Sequence, residues 1–160
     1  MKREALRDAA VPQCGDYSFA VVVARFYEEL AAQLLDGALR ALHECGVAVE
    51  RIRVLEVPGC FELPLACRKA IDSGAFDGIV ALGVVIRGET PHFEYVAGEC
   101  ARGIMDVTLA TGTPIGFGVL TTEDFEQARR RADRDGGDKG YAAAMAAAAL
   151  VQELSTLGRM

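Results

Sequence analysis

The chain has 160 residues, a typical single-domain length, with 51% hydrophobic and 25% charged residues. That balance excludes an intrinsically disordered or low-complexity chain, which would combine few hydrophobic residues with a high net charge. The formal net charge of −6 repels nucleic acid and anionic lipid, so we expect neither a nucleic acid nor a membrane as a partner.

The predicted elements begin with a strand over residues 18–24, whose continuous β-branched sequence is typical of a strand covered on both faces. A helix is predicted over 28–45 and ends at Gly46, because hydrophobic residues recur there at helical spacing: Leu30, Leu34, Ala38 and Leu42. The rest of the chain predicts, in order, a strand at 51–57, a helix at 62–71 closed by Gly74, a strand at 79–86, a helix at 91–110, a strand at 114–120, a helix from a Thr121/Asp124 capping pair to 132, and an alanine-rich helix ending near 154.

Strands that alternate with helices predict an α/β fold: a three-layer sandwich in which a four-stranded parallel sheet is flanked by helices, in a flavodoxin-like arrangement. In such folds ligands bind beyond the carboxyl ends of the strands. The four predicted strand ends are rich in polar and aromatic residues, so we expect the functional site there: 25–27, 58–62, 87–92 and 121–122.

The five cysteines are odd in number, and none belongs to a C-x-x-C pair. With only two histidines in the chain, a zinc site is not expected. A reducing, cytoplasmic location is the simplest interpretation of such cysteines. Residues 1–18 lack the apolar segment of a secretory signal, and the longest apolar run, 141–151, is shorter than the roughly 20 residues of a membrane span.

His92 lies at the predicted start of a helix, just after a polar turn. The positive end of a helix favours the neutral imidazole, so His92 is a candidate proton-transfer residue. The alternative is a surface histidine that caps the turn. His43 lies near the end of a helix, where a cationic ring is favoured, and we interpret it as structural.

The turn Gly88-Glu89-Thr90 offers backbone amides to a phosphate, although it lacks the Lys-Ser/Thr of a P-loop and a simple turn is the alternative. The densest cationic segment of this acidic chain comprises Arg129, Arg130, Arg131 and Arg134, with Lys139 beyond them. It is either a solvated helix face or the best candidate anion site. Phe26, Phe61 and Phe117 are either core residues or a clamp for a flat heterocycle.

Five segments, in order over residues 18–150, resemble the lumazine synthase family: VVVARFY (21–27), VPGCFELP (57–64), ALGVVIRGETPHFEYV (81–96), GFGVLTTEDFEQA (116–128) and DKGYAAAMAA (138–147). That family condenses 5-amino-6-(D-ribitylamino)uracil with 3,4-dihydroxy-2-butanone 4-phosphate. The product is 6,7-dimethyl-8-ribityllumazine, the penultimate intermediate of riboflavin biosynthesis, and phosphate and water are released. The resemblance implies a transferase that needs no cofactor and no metal. It also implies a flexible N-terminal arm over 1–17 and one lumazine-synthase-like domain over 18–156.

The resemblance implies His92 as the catalytic proton-transfer residue and Phe26 as the side chain that stacks on the pyrimidine. It assigns the rest of the substrate site to Cys60, Phe61, Glu62, Val84, Val85, Ile86 and Phe117, the last from a neighbouring subunit. Phosphate binding is implied for Glu89, Thr90, Arg131 and Lys139. The sequence departs from the family at two positions, since Tyr27 and Asp138 stand where asparagine is usual.

The implied partners are small-molecule substrates, other copies of the chain and riboflavin synthase. We expect a homo-oligomer with a pentamer as the minimum unit. The short turn between Arg131 and Lys139 resembles that of family members that form icosahedral, 60-subunit shells.

A flavin-binding or container protein is the alternative from another functional class, and a response regulator is disfavoured because acidic residues do not cluster at the strand ends. Retention of Phe26, Glu62, His92 and Arg131 together favours the enzyme, because a shell needs none of them.

Overall fold

The structure is a computed structural model that describes residues 10–158. Its regular elements are β1 (Phe19–Ala24), α1 (Glu28–Glu44), β2 (Ile52–Val57), α2 (Leu63–Asp72), β3 (Gly78–Ile86), α3 (His92–Thr111), β4 (Ile115–Thr122), α4 (Phe125–Ala132) and α5 (Lys139–Ser155). Short 3₁₀ helices at Val49–Arg51 and Cys60–Glu62 precede β2 and α2.

The four strands form one parallel sheet in the order β2-β1-β3-β4. Its two central strands, β1 and β3, are almost entirely buried, as expected for strands covered on both faces. One side packs against α1, α4 and α5, and the other against α2 and α3. The predicted α/β three-layer sandwich is therefore confirmed.

Helix α1 shows why the hydrophobic spacing predicted the layers correctly. Leu30, Leu34, Ala38 and Leu42 are all fully buried on its sheet-facing side. The helix ends before Gly46, whose positive φ of 84° terminates it as predicted.

Helices α1 and α5 approach each other closely where α5 begins. A side chain added at Gly140 would place its Cβ only 2.0 Å from the carbonyl oxygen of Leu34. The alanine-rich side of α5 buries Ala143, Ala144, Ala147 and Ala148. Small side chains on α5 therefore allow it to pack closely against α1 and β4.

Two predicted boundaries differ from the structure at the start of α4. The sequence predicts Thr121 as the partner of Asp124 in a helix cap, but Thr121 lies within β4, which continues to Thr122. Asp124 alone caps α4, its carboxylate accepting a hydrogen bond from the backbone N–H of Gln127 at 2.8 Å. The pairing of Thr121 with Val85 extends the strand past the predicted end.

Residues 1–9 of the predicted N-terminal arm lie outside the described residues. Cys14, in the second half of that segment, is fully buried, and its backbone N–H donates to the carbonyl of Cys45 at 2.8 Å. None of the helices within residues 10–158 has the length and apolar character required to cross a membrane.

Candidate active site

A cavity of about 360 Å³ opens at the carboxyl ends of β1 and β3. This is the sheet edge at which the strand order predicted a ligand site. The cavity brings together nearly all of the implied substrate residues, the implied catalytic residue and part of the phosphate turn: Phe26, Cys60, Phe61, Glu62, Val84, Val85, Ile86, Thr90 and His92.

Two aromatic side chains form the exposed wall of the cavity. Phe26 directly follows the turn out of β1 and is 73% exposed, and Phe61 in the 3₁₀ turn before α2 is 63% exposed. Tyr27 packs edge-on against Phe26, with ring centroids 5.0 Å apart. Because phenylalanine is ordinarily buried, two exposed rings beside a cavity favour a flat apolar ligand.

The floor of the cavity is the last part of β3. The pairing of β3 with β1 ends at Leu82, whereas its pairing with β4 continues to Ile86. Strand β3 therefore extends beyond its pairing with β1. The unpaired backbone edge lies beside the cavity and belongs to Val84, Val85 and Ile86. Backbone donors and acceptors on such an edge suit the polar rim of a heterocycle.

Cys60 lies at the base of the cavity and is 4% exposed. Its Sγ donates to the carbonyl of Val84 at 3.7 Å. The hydrogen bond with Cys100, followed by burial, raises the pKa of the Cys60 thiol well above its usual range. Cys60 is therefore a neutral packing and hydrogen-bonding group at neutral pH, because only the thiolate is a strong nucleophile.

The turn from Arg87 to Pro91 joins β3 to α3 and positions His92 as the first residue of the helix. The hydroxyl of Thr90 accepts a hydrogen bond from the backbone N–H of His92 at 3.4 Å. Both side chains are exposed to the cavity mouth. The first amides of a helix and a nearby hydroxyl form a suitable environment for an anion.

Arg87 holds this turn against the neighbouring elements. Its Nε donates to Glu123 at 2.9 Å, and its Nη1 donates to Glu94 at 3.3 Å. Its guanidinium carbon lies 4.4 Å from the centre of the Phe93 ring. The turn is thereby tied both to the start of α3 and to the segment after β4.

Four implied site residues do not line the cavity of a single chain: Glu89, Phe117, Arg131 and Lys139. Glu89 belongs to the turn and is exposed. Phe117 is 47% exposed on the edge strand β4. Arg131 lies in the last turn of α4, where its Nη1 donates to the backbone carbonyl of Gln127 at 3.0 Å, and Lys139 begins α5.

The cavity also includes four residues to which no binding role was assigned from the sequence: Tyr27, Gly59, Phe93 and Val96. Phe93 and Val96 lie on α3 one and four residues after His92. Helical periodicity from His92 is the signal that identifies Val96. Within residues 10–158, no group of three or more histidine, cysteine or acidic side chains is arranged to hold a metal ion.

Two comparisons with known proteins identify the family of this chain. A family model for 6,7-dimethyl-8-ribityllumazine synthase matches residues 16–155. A 6,7-dimethyl-8-ribityllumazine synthase of Syntrophus aciditrophicus (strain SB) is 49% identical over 136 residues, which cover 85% of this chain and 88% of that protein. The fold, the cavity and both similarities lead to one assignment: the chain belongs to the 6,7-dimethyl-8-ribityllumazine synthase family.

Proposed function

We propose that this chain is a transferase of riboflavin biosynthesis that condenses 5-amino-6-(D-ribitylamino)uracil with 3,4-dihydroxy-2-butanone 4-phosphate to give 6,7-dimethyl-8-ribityllumazine. One observation carries the proposal beyond family membership. A single cavity holds two exposed aromatic rings, an uncovered strand edge, a carboxylate and a histidine at a helix start. The rings suit a flat heterocycle, and the strand edge suits its polar rim. The carboxylate suits a sugar chain, and the histidine suits a proton transfer.

The aminouracil is expected to bind with its pyrimidine stacked on Phe26. The backbone of Val84, Val85 and Ile86 faces the polar rim of the ring, while Cys60 and Phe61 line the pocket. Glu62, exposed at the mouth of the cavity, accepts hydrogen bonds from hydroxyls of the ribityl chain. Stacking with polar contacts at the rim fixes the orientation of the amine that reacts.

The butanone phosphate is expected to place its phosphate at the turn, where Glu89 and Thr90 contribute backbone amides. A chain with net charge −6 needs a local cation for this anion. Arg131, with Lys139 near it, supplies that charge from a neighbouring copy, because neither residue lines the cavity of its own chain. Phe117 of the same neighbour closes the aromatic wall.

The amine attacks the ketone carbonyl, and loss of water gives an imine. Elimination of phosphate breaks the C–O bond to the leaving group, and ring closure with loss of a second water gives the lumazine. His92 carries protons between these groups, and Arg131 with the turn amides stabilises the departing phosphate. Holding both reactants in one cavity supplies much of the rate enhancement. No metal or redox cofactor enters these steps.

The proposal includes a homo-oligomer, with a pentamer as the minimum unit and a 60-subunit icosahedral shell as the complete assembly. Its support is the apolar surface that one chain exposes beyond the cavity, including Leu65, Tyr95, Met105 and Leu109, each more than half exposed. Such surface on a soluble domain marks an interaction site. A cytoplasmic location and riboflavin synthase as a partner belong to the same proposal.

The test is direct. Purified protein is incubated with both substrates, and lumazine formation is followed by absorbance against an enzyme-free reaction, because the condensation is chemically feasible without enzyme. We expect a rate well above that background, with release of inorganic phosphate in step with lumazine. A rate equal to the background, in protein that binds a flavin, supports the container alternative instead.

A further inference from the structure

Asp138 is the one residue other than glycine, within residues 10–158, whose backbone φ is positive. Its φ of 47° and ψ of 48° place it in the left-handed region at the N-cap of α5. That region is unfavourable for residues with a Cβ, although aspartate and asparagine tolerate it best. The residue is only 7% exposed, so its carboxylate also needs a partner of opposite charge.

Arg40 of α1 is that partner. Its Nη2 donates to Oδ1 of Asp138 at 2.8 Å and its Nη1 donates to Oδ2 at 3.2 Å, so the ion pair is bidentate. Its Nε donates to Asp36 at 2.9 Å, and its guanidinium carbon lies 5.7 Å from the centre of the Tyr141 ring. The hydrogen bond to Asp138 raises the pKa of Arg40 above its usual range. A planar fork of this kind fixes orientation as well as distance.

The surface of α1 is shaped to receive this carboxylate. A side chain at Gly37 would place its Cβ 2.8 Å from Oδ1 of Asp138 and 2.8 Å from the backbone nitrogen of Tyr141. Glycine at that position therefore makes room for the contact between Arg40 and Asp138. Asp138 therefore occupies one of the positions at which α1 and the start of α5 contact each other.

The backbone of Asp138 also closes the loop between α4 and α5. Its N–H donates to the carbonyl of Asp133 at 3.0 Å, and its carbonyl accepts from Ala142 at 3.1 Å. Within the loop, Gly137 donates to the carbonyl of Arg130 at 2.8 Å. The loop is thus folded back on the end of α4, and its two flanks carry Arg131 and Lys139.

We propose that Arg40 and Asp138 act as a positioning pair, which anchors the loop between α4 and α5 to α1 and so directs Arg131 and Lys139 toward the substrate phosphate. This inference rests on the proposed function and adds to it two residues that touch no substrate. It also accounts for an aspartate where the family usually has asparagine, because a carboxylate complements the guanidinium of Arg40.

Two conservative changes separate the parts of the pair. Asp138→Asn keeps a residue that tolerates the left-handed conformation but removes the charge, and Arg40→Lys keeps the charge but removes the fork. For each we expect the KM of the butanone phosphate to rise roughly threefold to 30-fold. The KM of the aminouracil should stay close to that of the unmodified chain, whereas kcat should fall as Arg131 loses its contact with the departing phosphate. The double variant Arg40→Gln with Asp138→Asn restores a neutral hydrogen-bonded contact. Its KM for the butanone phosphate should therefore be lower than that of the single variants.

Arg68→Gln is the matched control, because Arg68 forms an exposed ion pair with Asp72 on α2, with Nε and Oδ1 3.0 Å apart. It should change neither KM. Each variant is first compared with the unmodified chain by thermal unfolding and by mass in solution. Should Asp138→Asn fail to fold, Arg40→Lys decides by the same criterion.

An unchanged KM for the butanone phosphate in folded variants would overturn the positioning role. An equal rise in both KM values would also overturn it, because that is the signature of a general structural defect. If the unmodified chain is active and the folded variants have the same KM for the butanone phosphate, only the positioning role is wrong. No turnover by the unmodified chain overturns the proposed function and the positioning role together.

Discussion

His92 and His43 are the two histidines of the chain, and their surroundings differ. His92 starts α3 at the cavity, whereas His43 lies in the last turn of α1, away from it. If His92 transfers protons, His92→Ala should lower turnover by roughly 10²- to 10⁴-fold without loss of the fold. His43→Ala is the control and should keep full activity. Steady-state kinetics at saturating substrates make the comparison, and full activity in folded His92→Ala protein contradicts the assignment.

We propose Arg131 as the cation that binds the substrate phosphate. Arg131→Ala should raise the KM of the butanone phosphate far more than that of the aminouracil, because only the former carries a phosphate. Arg131→Lys restores the charge without the planar fork and should recover part of the loss. Arg130→Ala, one position earlier on α4, is the matched control. Equal weakening of both substrates contradicts the role.

Individual residues were predictable from the sequence to different degrees. The position of His92 after a turn at a strand end was enough to place it at a helix start. The cavity-facing edge of β3 was not predictable from residue types, because it depends on where two pairings end. The pairing of β3 with β1 ends at Leu82, while its pairing with β4 continues to Ile86. The ion pair between Arg40 and Asp138 was likewise not predictable, because 98 residues separate its partners along the chain.

The order and type of the helices and strands followed from hydrophobic periodicity, most clearly in β1, β3 and α1. Boundaries were less predictable where a hydrogen-bonded neighbour extends an element. Strand β4 continues to Thr122 because Thr121 and Thr122 pair with Val85 and Ile86, which no local propensity records. The cap of α4 is therefore Asp124 rather than the pair that includes Thr121.

The approach of α5 to α1 provides a prediction about stability. Gly140→Ala should lower the free energy of unfolding by about 1–3 kcal/mol, because its Cβ would meet the backbone of Leu34 rather than a movable side chain. Gly98→Ala is the matched control, since Gly98 is an exposed helical glycine with no atom within 4 Å of an added Cβ. It should instead raise the free energy of unfolding by about 0.5–1 kcal/mol. Urea unfolding at one fixed protein concentration checks both, and no loss in Gly140→Ala contradicts the close packing.

At the scale of the whole molecule, the proposed site is divided between two regions of the chain. The cavity contains His92 and Phe26, whereas Phe117, Arg131 and Lys139 lie outside it in the same chain. A second copy that supplies these residues would complete the site and cover apolar surface. This arrangement requires an interface in which different surfaces of the two copies meet, and such interfaces form a ring where the rotation between copies closes.

The mass in solution tests the ring. Light scattering on a size-exclusion column should show a pentamer as the smallest active species, and a 60-subunit shell as the complete assembly. An active species with the mass of one chain contradicts the shared site. An active isolated pentamer contradicts only the shell.

Subunit mixing tests the shared site most directly. His92→Ala and Arg131→Ala chains with different tags are co-expressed, and oligomers that carry both tags are isolated. If each site combines His92 of one copy with Arg131 of its neighbour, random mixing leaves about a quarter of the sites intact, and activity should return to that level.

The control mixes the unmodified chain with the double variant His92→Ala/Arg131→Ala. A shared site again predicts about a quarter of full activity in mixed oligomers, whereas a site within one chain predicts about half. We expect recovery of activity in the first mixture and about a quarter of full activity in the second. No recovery in the first mixture, together with half activity in the second, would contradict it.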